Sequence, residues 1–499
     1  MTDWGKLLSQ AEVQHNLRER KKEYEEKTIF RSSLADEEQD GWSFFKDLPK
    51  DERKIKVRRN KPMDEVFENR LWVLFASMGF STLNRDRKFE LDYSEPGGTH
   101  KKQIDVFAVD EETVLVVECK CAEKQKTHPW KTELEAIKGN RPGLIQEIIK
   151  KYPDHNIKFI FATNNYIVGD ADKALMAEIE VAHFDEKVIK YYEELVKHLG
   201  SCARYQLLGA LFANKKIKGL NAIIPAIQGK MGGHTYYSFS IQPEILLKIG
   251  YVLHRSEANE GMMPTYQRII KKNRLKAVHD FIENKGFFPN SLLISIDTDK
   301  PMQFDLSEKQ GNDVITKLGL LHLPQKYRSA YIIDGQHRLY GYSDSRYSRT
   351  NSIPVVAFEN MDQKEQVRLF MEINENQKAV SKNLRNTLNA DLLWVSEDPL
   401  EQREAIRSRL AQELGDNIKS KLYGRVVIGE DQADDYRCIT LEMICSSIKD
   451  TEFLTKFDKS KAPMELGLFD SNNNEKTLAN LKNFLFGCFE YLQELLPEE

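Results

Sequence analysis

The alternation of apolar and polar residues predicts a run of helices and strands between residues 64 and 200. In residues 64–79 the apolar side chains recur at helical spacing, and Gly79 suits the left-handed position after a helix end. Two runs typical of strands follow, at residues 102–110 and 113–121. Helical and strand patterns then alternate over the rest of this stretch, which predicts a mixed sheet covered by helices.

A different pattern begins near residue 220, where Pro and Gly interrupt the apolar positions. Residues 264–286 have a helical pattern, residues 290–297 and 352–359 are typical of strands, and residues 330–342 predict a strand, a turn and the start of a helix. Beyond about residue 385 the patterns are helical. We therefore expect a central α+β domain followed by a helical region.

A length of 499 residues also suggests several domains. Residues 1–62 are polar and dense in charges of both signs, which predicts a helical or partly ordered arm. The leader ends in residues 54–62, a run with five basic side chains that fits either a solvated linker or a segment that contacts phosphates. The predicted divisions are a charged leader at 1–62, an α/β domain at 63–205, a central α+β domain at 206–390 and a helical C-terminal region at 391–499.

Composition changes this outline little. With 40% hydrophobic and 30% charged residues, the chain has the composition of a globular protein. A formal net charge of −4 gives no global attraction for nucleic acid, although a local basic groove is compatible with it. Six cysteines in this length do not indicate a disulfide scaffold. Because the sequence shows neither a secretion signal nor an apolar stretch of about 20 residues, we expect a reduced, cytosolic protein that does not enter membranes.

The two predicted strands around Glu111 and Glu112 bring charged residues together. If the hairpin loop holds two or four residues, Asp105 lies directly opposite Glu118, and directly opposed residues share a face. Lys120 lies two residues beyond Glu118 and therefore shares that face too. A loop of three residues would move one side chain to the other face.

Two neighbouring carboxylates repel each other unless a cation lies between them. Mg²⁺ takes one or two protein carboxylates with water and phosphate oxygens, and it can polarise a phosphate and activate a water. An adjacent lysine can offset the charge that builds on the phosphorus centre. The group is thus a candidate site for phosphodiester hydrolysis, with Glu68 as a further ligand or a holder of a metal-bound water. The alternative is a surface ion pair of Glu118 and Lys120 beside a solvated Asp105, but lone charges are costly in strands that look interior.

Residues 63 to about 200 resemble PD-(D/E)XK nucleases of the Mrr-like restriction-endonuclease branch. The resemblance rests on the helix FENRLWVLFASMGF, on QIDVFAVD and on VVECKC, although Ile104 replaces the proline of the motif. It implies an α/β/α restriction-endonuclease-like sandwich with Mg²⁺ or Mn²⁺ as cofactor. The implied catalytic residues are Glu68, Asp105, Glu118 and Lys120, with the three carboxylates as metal ligands.

The segment IIDGQHRLYGY, residues 332–342, concentrates polar side chains where a buried-looking strand ends. A strand that turns into a helix after Asp-Gly presents backbone N–H groups to an anion, and Gly335 permits close approach of a ligand. Arg338 can bind a phosphate or carboxylate with two hydrogen bonds. Gln336 and His337 can donate to oxygens or orient a water, and Asp334 can bind a metal or accept from a sugar hydroxyl. The alternative is a buried hydrogen-bond network that joins helix and sheet.

Further polar residues flank this segment in the sequence, and they complete the candidate ligand-binding set. They are Gln267, Arg268, Asn374, Asn376, Gln377, Lys382 and Arg385.

Residues 220–390, through IIDGQHRLYGY and the flanking segments 264–282 and 373–388, resemble the DGQHR-domain family. Its best-known members are the DndB-like proteins of bacterial DNA phosphorothioate modification, and the domain is similar to the ParB-like nucleotide-binding fold. The resemblance implies association with DNA and the binding or hydrolysis of a nucleoside triphosphate at Asp334, Gln336, His337 and Arg338.

Together these features predict a Mg²⁺-dependent DNA endonuclease of a bacterial defence or DNA-modification-linked system, in which the DGQHR module senses DNA or a nucleotide and licenses cleavage. Two alternatives stay open: a DndB-like DNA-binding transcriptional regulator without nuclease activity, and a DNA-stimulated NTPase with the nuclease domain as its effector. The expected partners are DNA and a nucleotide. A homo-oligomer is compatible with the resemblance, because many such nucleases pair to cut both strands.

Overall fold

The computed structural model describes residues 2–49, 51–95, 98–252, 272–298, 300–307, 315–375, 382–429, 433–458, 460–471 and 473–496. Over these residues the protein is a mixed α/β molecule with several separate sheets, as predicted. Among the described helices, none combines the length and the apolar composition needed to cross a membrane.

The leader is more than a helical arm. Its first helix agrees with that prediction, but most of the remaining residues form a small antiparallel sheet with the strand order β2-β4-β3, which we call the leader sheet. The elements are β1 (Leu7–Leu8), α1 (Gln10–Arg20), β2 (Tyr24–Phe30), α2 (Leu34–Gln39), β3 (Ser43–Asp47) and β4 (Lys54–Asn60).

The prediction was wrong for β4 because its charges concealed a two-residue alternation. Ile55 and Val57 point to one face, where they are fully buried against Trp42. The charged residues between them point to the other face, as the pleat of a strand requires. A purely solvated linker would leave these two β-branched residues exposed.

The next region contains a mixed sheet with the strand order β1-β5-β8-β9-β10-β11, in which β9, β10 and β11 run parallel. Its elements are α3 (Met63–Ser77), β5 (Thr82–Asn84), β6 (Glu90–Glu95), β7 (Gly98–Gln103), β8 (Val106–Val109), β9 (Thr113–Thr127), α4 (Lys131–Lys151), β10 (Asn156–Ile167), α5 (Asp170–Glu178), β11 (Val181–Phe184) and α6 (Glu186–Leu199).

Helices cover both faces of this sheet. Leu115 and Ile160 pack on one face with residues of α3 and α6, while Val116 and Phe161 pack on the other with residues of α4 and α5. Alternate residues of the same strands therefore pack into two different hydrophobic cores, which explains why these strands are apolar throughout. The predicted mixed sheet covered by helices is confirmed.

Two elements extend beyond their predicted limits. The pattern of residues 142–152 favours a helix that begins at Pro142, but α4 begins at Lys131 and the proline lies inside it. The strand expected to end near Cys121 continues to Thr127, and it pairs with β10 beyond an irregularity in register. The local sequence pattern did not predict the start of α4 or the end of β9, because pairing and packing with neighbouring elements extend both elements.

The central region is built on a second mixed sheet with the strand order β14-β18-β15-β19-β13-β12-β17-β16 among the described strands. Its elements are α7 (Ala203–Leu211), β12 (Ile223–Met231), β13 (His234–Ile241), α8 (Pro243–Ile249), β14 (Gly250–Tyr251), α9 (Lys272–Glu283), β15 (Leu292–Ile296), β16 (Phe304–Leu306), β17 (Lys317–His322), β18 (Ala330–Asp334), α10 (Gln336–Tyr340), β19 (Ile353–Glu359), α11 (Gln363–Glu375) and α12 (Lys382–Leu392).

The two sheets share one hydrophobic core through α7. Leu207 and Leu208 of this helix belong to the same buried cluster as Phe75 of α3 and Ile332 of β18. The predicted division at residue 205 therefore falls inside a helix that packs against both regions.

The C-terminal region is helical as predicted, with short strand pairs added. Residues of α13, α14 and α15 form its core around Leu410, Ile448 and Leu481. Its elements are α13 (Pro399–Asp416), β20 (Val426–Val427), β21 (Ile439–Thr440), α14 (Leu441–Lys449), β22 (Lys456–Phe457), β23 (Pro463–Glu465) and α15 (Asn474–Leu495).

Candidate functional site

The β8–β9 hairpin has the register expected from its sequence. Residues 106–109 pair with residues 114–117, so that the next position places Asp105 opposite Glu118. The Asp110 carboxylate closes the turn by accepting hydrogen bonds from backbone N–H groups of the following residues. The hairpin therefore carries two carboxylates on one face at its open end.

Glu118 is held between two lysines. Its Oε1 accepts a hydrogen bond from Lys120 at 2.8 Å, and its Oε2 lies 2.9 Å from the Lys102 ammonium of β7. Burial acts to raise the pKa of Glu118, but the positive charges of Lys120 and Lys102 outweigh it and hold that pKa below its usual value. Glu118 is therefore ionised at neutral pH. Sequence analysis missed Lys102, because its strand lies in a different hairpin.

Asp105 behaves differently from its neighbour. Its Oδ2 accepts the backbone N–H of Cys119 at 2.7 Å. Burial, and then the charge of Glu118, raises the pKa of Asp105 to about 7 despite this hydrogen bond. Near neutral pH the carboxyl group is therefore present in both protonation states.

Glu68 lies on α3 and is only 5% exposed. Arg87 binds it with two hydrogen bonds, Nε to Oε2 and Nη2 to Oε1, each of 2.7 Å. Burial raises the pKa of Glu68 against the opposing effect of Arg87, and the charge of Glu68 in turn contributes to the raised pKa of Asp105. The carboxylate is thus electrostatically coupled to the hairpin but engaged by an arginine that sequence analysis did not single out.

In the part of the chain that the structure describes, no three Asp, Glu, His or Cys side chains lie close enough together to form a metal cluster. The donor set at the hairpin is instead the pair of Asp105 and Glu118. One or two carboxylates are the usual protein contribution to a Mg²⁺ site, which water and phosphate oxygens complete. Such an ion would take Asp105 and Glu118 as its ligands, while both oxygens of Glu68 accept hydrogen bonds from Arg87.

The DGQHR turn has the predicted order of strand, glycine and helix. Gly335 has a φ of +98°, and its carbonyl accepts the N–H groups of Arg338 and Leu339 at 2.9 and 3.0 Å. Helix α10 is short and spans only Gln336–Tyr340. Because the N–H groups of Arg338 and Leu339 already donate to Gly335, they are unavailable to an anion. The expected helix N-terminal anion site is therefore not formed by these two groups.

The side chains of the turn point in different directions. Gln336 is buried in the interior, whereas His337 is half-buried. Arg338 donates from Nη2 to Asp334 at 3.0 Å and from Nη1 to the carbonyl of Asn290. The consecutive polar residues do not converge on one ligand position.

The flanking candidates add little to this geometry. Arg385 lies on α12 with an exposed side chain, and the structure describes no side chain for Asn374 of α11 or Lys382 of α12. The remaining candidates lie outside the described residues; they are Gln267, Arg268, Asn376 and Gln377.

A cavity of about 340 Å³ lies beside Arg338, and sequence analysis missed its other walls. These are aromatic rings and amide side chains from segments before β15 and β19. The volume is in the range of small-molecule sites, and a guanidinium among rings suits a planar anionic ligand. The cavity is lined by Phe287, Phe288, Asn290, Arg338, Tyr342 and Asn351, among others.

The turn of the β8–β9 hairpin touches the central region. Glu112 pairs with Lys248 of α8 at 3.3 Å, and Glu111 pairs with Arg349 at 3.0 Å. Arg349 also binds Glu244 of α8. The hairpin therefore has the candidate catalytic carboxylates at one end and the central region at the other.

Comparison with known proteins identifies a relative for the central region. Residues 224–393 match the model of the DndB family, described as DNA-sulfur modification-associated. The match contains the whole DGQHR turn and confirms the resemblance of this region to DndB-like proteins.

Other comparisons add no functional information. No curated protein matches the chain. The crystal structure of protein VC1899 from Vibrio cholerae is similar at 12% identity over 39% of this chain and 51% of that one, with a TM-score of 0.20. The chain thus spans about half the length of that protein, and a TM-score this low supports no conclusion on fold.

Proposed function

We propose that this chain is a divalent-metal-dependent DNA endonuclease whose DndB-like module controls cleavage. The observation that carries the proposal is the pairing of Asp105 with Glu118, next to Lys120, at the open end of the β8–β9 hairpin. The similarity of residues 224–393 to a DNA-sulfur modification-associated family supports DNA as the polymer.

Asp105 and Glu118 would hold the metal ion. The pKa of about 7 at Asp105 arises from burial and from the neighbouring charge of Glu118, and a cation beside both groups would relieve that repulsion. When bound, the ion would polarise the phosphate and lower the pKa of a water bound to it.

The positive side chains around this pair would serve the phosphate. Lys120 keeps its proton because the charge of Glu118 raises its pKa against the effect of burial. Its ammonium group is therefore available to offset the charge that builds on the phosphate in the transition state. Lys102 orients Glu118 from the other side.

Control of cleavage would act through the hairpin. Lys248 and Arg349 hold its turn from the central region, so a change in that region moves the element that carries both carboxylates. Such coupling requires a ligand that binds the two arrangements of the central region with different affinity.

The direct test is plasmid cleavage in Mg²⁺ by the wild type, Glu118→Gln and Lys120→Met, purified identically. We expect each variant to lose cleavage by a factor of about 10²–10⁴, as is usual when a charge-stabilising or acid–base group is removed. Glu123→Gln is the matched control, because Glu123 is an exposed carboxylate on the same strand. Equal cleavage by all four proteins would assign the activity to a contaminant.

The regulator alternative makes the opposite prediction. Tight DNA binding in chelator, without cleavage in Mg²⁺, in Mn²⁺ or with added nucleotides, would identify the chain as a DNA-binding regulator. The nuclease proposal would then fail.

The cavity beside Arg338 favours a second function, the binding of a nucleotide by the central region. We expect Arg338→Ala to weaken ATP or GTP binding in calorimetry by about 10–100-fold, because it removes a charged hydrogen-bond donor. Arg346→Ala is the control, since Arg346 is exposed and pairs with Glu283 away from the cavity. If DNA stimulates phosphate release by the wild type and Arg338→Ala abolishes this release, the function would extend to nucleotide hydrolysis.

A further inference from the structure

The two faces of the leader sheet differ in what they contact. Ile55 and Val57 of β4 are fully buried on the inner face, where Trp42, Ile29 and Leu34 pack against them. This small core accounts for the fold of the sheet. The outer face plays no part in that core, and its composition needs a separate explanation.

The outer face is strongly basic. Lys54, Lys56 and Arg58 alternate with the buried residues of β4, and Lys46 of β3 lies opposite Lys56. Two carboxylates lie among these cations. Glu26 of β2 binds Arg58 at 2.7 Å and Lys56 at 3.7 Å, and Asp51 lies 3.8 Å from Lys54. The face therefore keeps an excess of positive charge, although the whole chain has a formal net charge of −4.

Aromatic rings are interleaved with these cations. The guanidinium carbon of Arg58 lies 3.7 Å from the ring centroid of Tyr24 and 3.6 Å from that of Phe45. Phe30 pairs with Lys54 across the strands and is 56% exposed, while Phe45 is 38% exposed. Exposed rings and cations therefore lie on the same face of the sheet.

We propose that the outer face of the leader sheet binds single-stranded DNA. Cations along a sheet follow a phosphate backbone, and aromatic side chains stack on bases that are free of pairing. A duplex hides the faces of its bases, so it could use only the cations. The choice of DNA rests on the proposed function, whereas the binding itself requires no cleavage.

The position of the leader sheet suits a nuclease that acts on unpaired or partly opened strands. β4 ends at Asn60, and α3, which carries Glu68, begins at Met63. Arg20 of α1 donates to the Asn69 side chain at 2.8 Å and so ties the leader to α3. The leader sheet is therefore joined directly to the helix that carries Glu68.

The first test measures the salt dependence of binding. The full chain, in chelator, is titrated by fluorescence anisotropy with a labelled oligodeoxynucleotide of about 16 nucleotides and with the matching duplex. We expect tighter binding of the single strand. The triple variant Lys46→Gln/Lys54→Gln/Lys56→Gln should reduce the slope of log affinity against log salt by about 2, since each phosphate contact on a single strand contributes about 0.7.

A second triple variant controls for the loss of charge alone. Lys131, Lys190 and Lys197 are exposed lysines on α4 and α6, away from the leader sheet. Their replacement by Gln should leave the slope unchanged. Equal slopes for the two triple variants, or a duplex bound as tightly as the single strand, would overturn the inference.

The second test examines stacking. We expect Phe45→Ala to weaken single-strand binding about tenfold, and Phe45→Tyr to retain the affinity because the ring remains. Unchanged affinity in Phe45→Ala would overturn the stacking role. The lysine variant keeps the inference testable if Phe45→Ala fails to fold.

The single-strand binding proposal and the nuclease proposal can fail independently. Binding of the single strand by the outer face, without cleavage in any metal, would leave this inference standing and remove the nuclease proposal. Metal-dependent cleavage by the wild type, together with unaltered single-strand binding by the triple lysine variant, would leave the nuclease proposal standing and remove this inference.

Discussion

The carboxylate site of the β8–β9 hairpin draws its residues from separate elements, whereas the candidate residues of the DGQHR turn are consecutive. Strand pairing places Asp105 opposite Glu118 although they are far apart in sequence. In the turn, Gln336 enters the interior while Arg338, two residues later, borders a cavity. Neighbours on a helix are spread around its axis, whereas alternate residues of a strand share a face.

The hairpin and the turn also differ in the kind of interaction that dominates each of them. At the hairpin, burial and neighbouring charges together shift the pKa of Asp105 and the pKa of Glu118 in opposite directions. At the turn, close packing dominates, since a Cβ on Gly335 would lie 2.2 Å from Leu292. We therefore expect the hairpin to respond to pH and to cations, and the turn to respond to changes in side-chain volume.

The largest effect is expected at the turn. Gly335→Ala should lower the free energy of unfolding by about 2–5 kcal/mol, because it combines a left-handed backbone conformation with a steric clash. Gly232→Ala is the control: Gly232 also has a positive φ, but nothing lies within 4 Å of an added Cβ, so about 1 kcal/mol is expected. Denaturant unfolding measures both, and equal losses would contradict the packing argument.

An intermediate effect is expected at the hairpin, and it depends on pH. The pKa of Asp105 rises from 3.8 to about 7 on folding, so the folded state binds a proton that the unfolded chain has released at intermediate pH. Stability from this group is therefore fully present below about pH 4 and is lost as pH rises to about 7. In chelator, Asp105→Asn should be about 1–3 kcal/mol more stable than the wild type at pH 8 and equal to it near pH 4.

Urea unfolding at both pH values measures this difference. Asp154→Asn, at an exposed carboxylate, should show no such pH dependence relative to the wild type. Added Mg²⁺ should stabilise the wild type at pH 8 but not Asp105→Asn. Parallel pH curves for the wild type and Asp105→Asn would remove the argument for a cation site.

The smallest effect is expected where the two regions meet. Arg349 is 63% exposed, so its ion pairs with Glu111 and Glu244 should contribute less than about 1 kcal/mol to stability. Arg349→Ala should nevertheless change the ratio of cleavage rates with and without nucleotide by a factor of about 2–5. Arg346→Ala, at a similarly exposed arginine with a partner inside the central region, should leave the ratio unchanged. The same ratio in both variants would exclude coupling through the turn.

Periodicity in the sequence was sufficient for the helix α3, the strands of the hairpin and the order of elements in the DGQHR turn. It was not sufficient for the leader sheet, because the charged positions of β4 obscured the buried pair Ile55 and Val57. The ends of α4 and β9 also escaped prediction. In these elements, contacts with distant segments outweighed the local pattern.

The sequence alone determined that Asp105 and Glu118 share a face if the hairpin loop holds two or four residues, because side-chain alternation and loop length set the register of a hairpin. The observed register meets that condition. Only the tertiary structure decided that Lys102 and Arg87 bind the carboxylates, and that Phe287 shares a cavity with Arg338. These partners come from segments separated by loops, and the docking of whole hairpins, helices and strands brings them together. Docking depends on how buried surfaces fit across the fold, and local periodicity does not encode that fit.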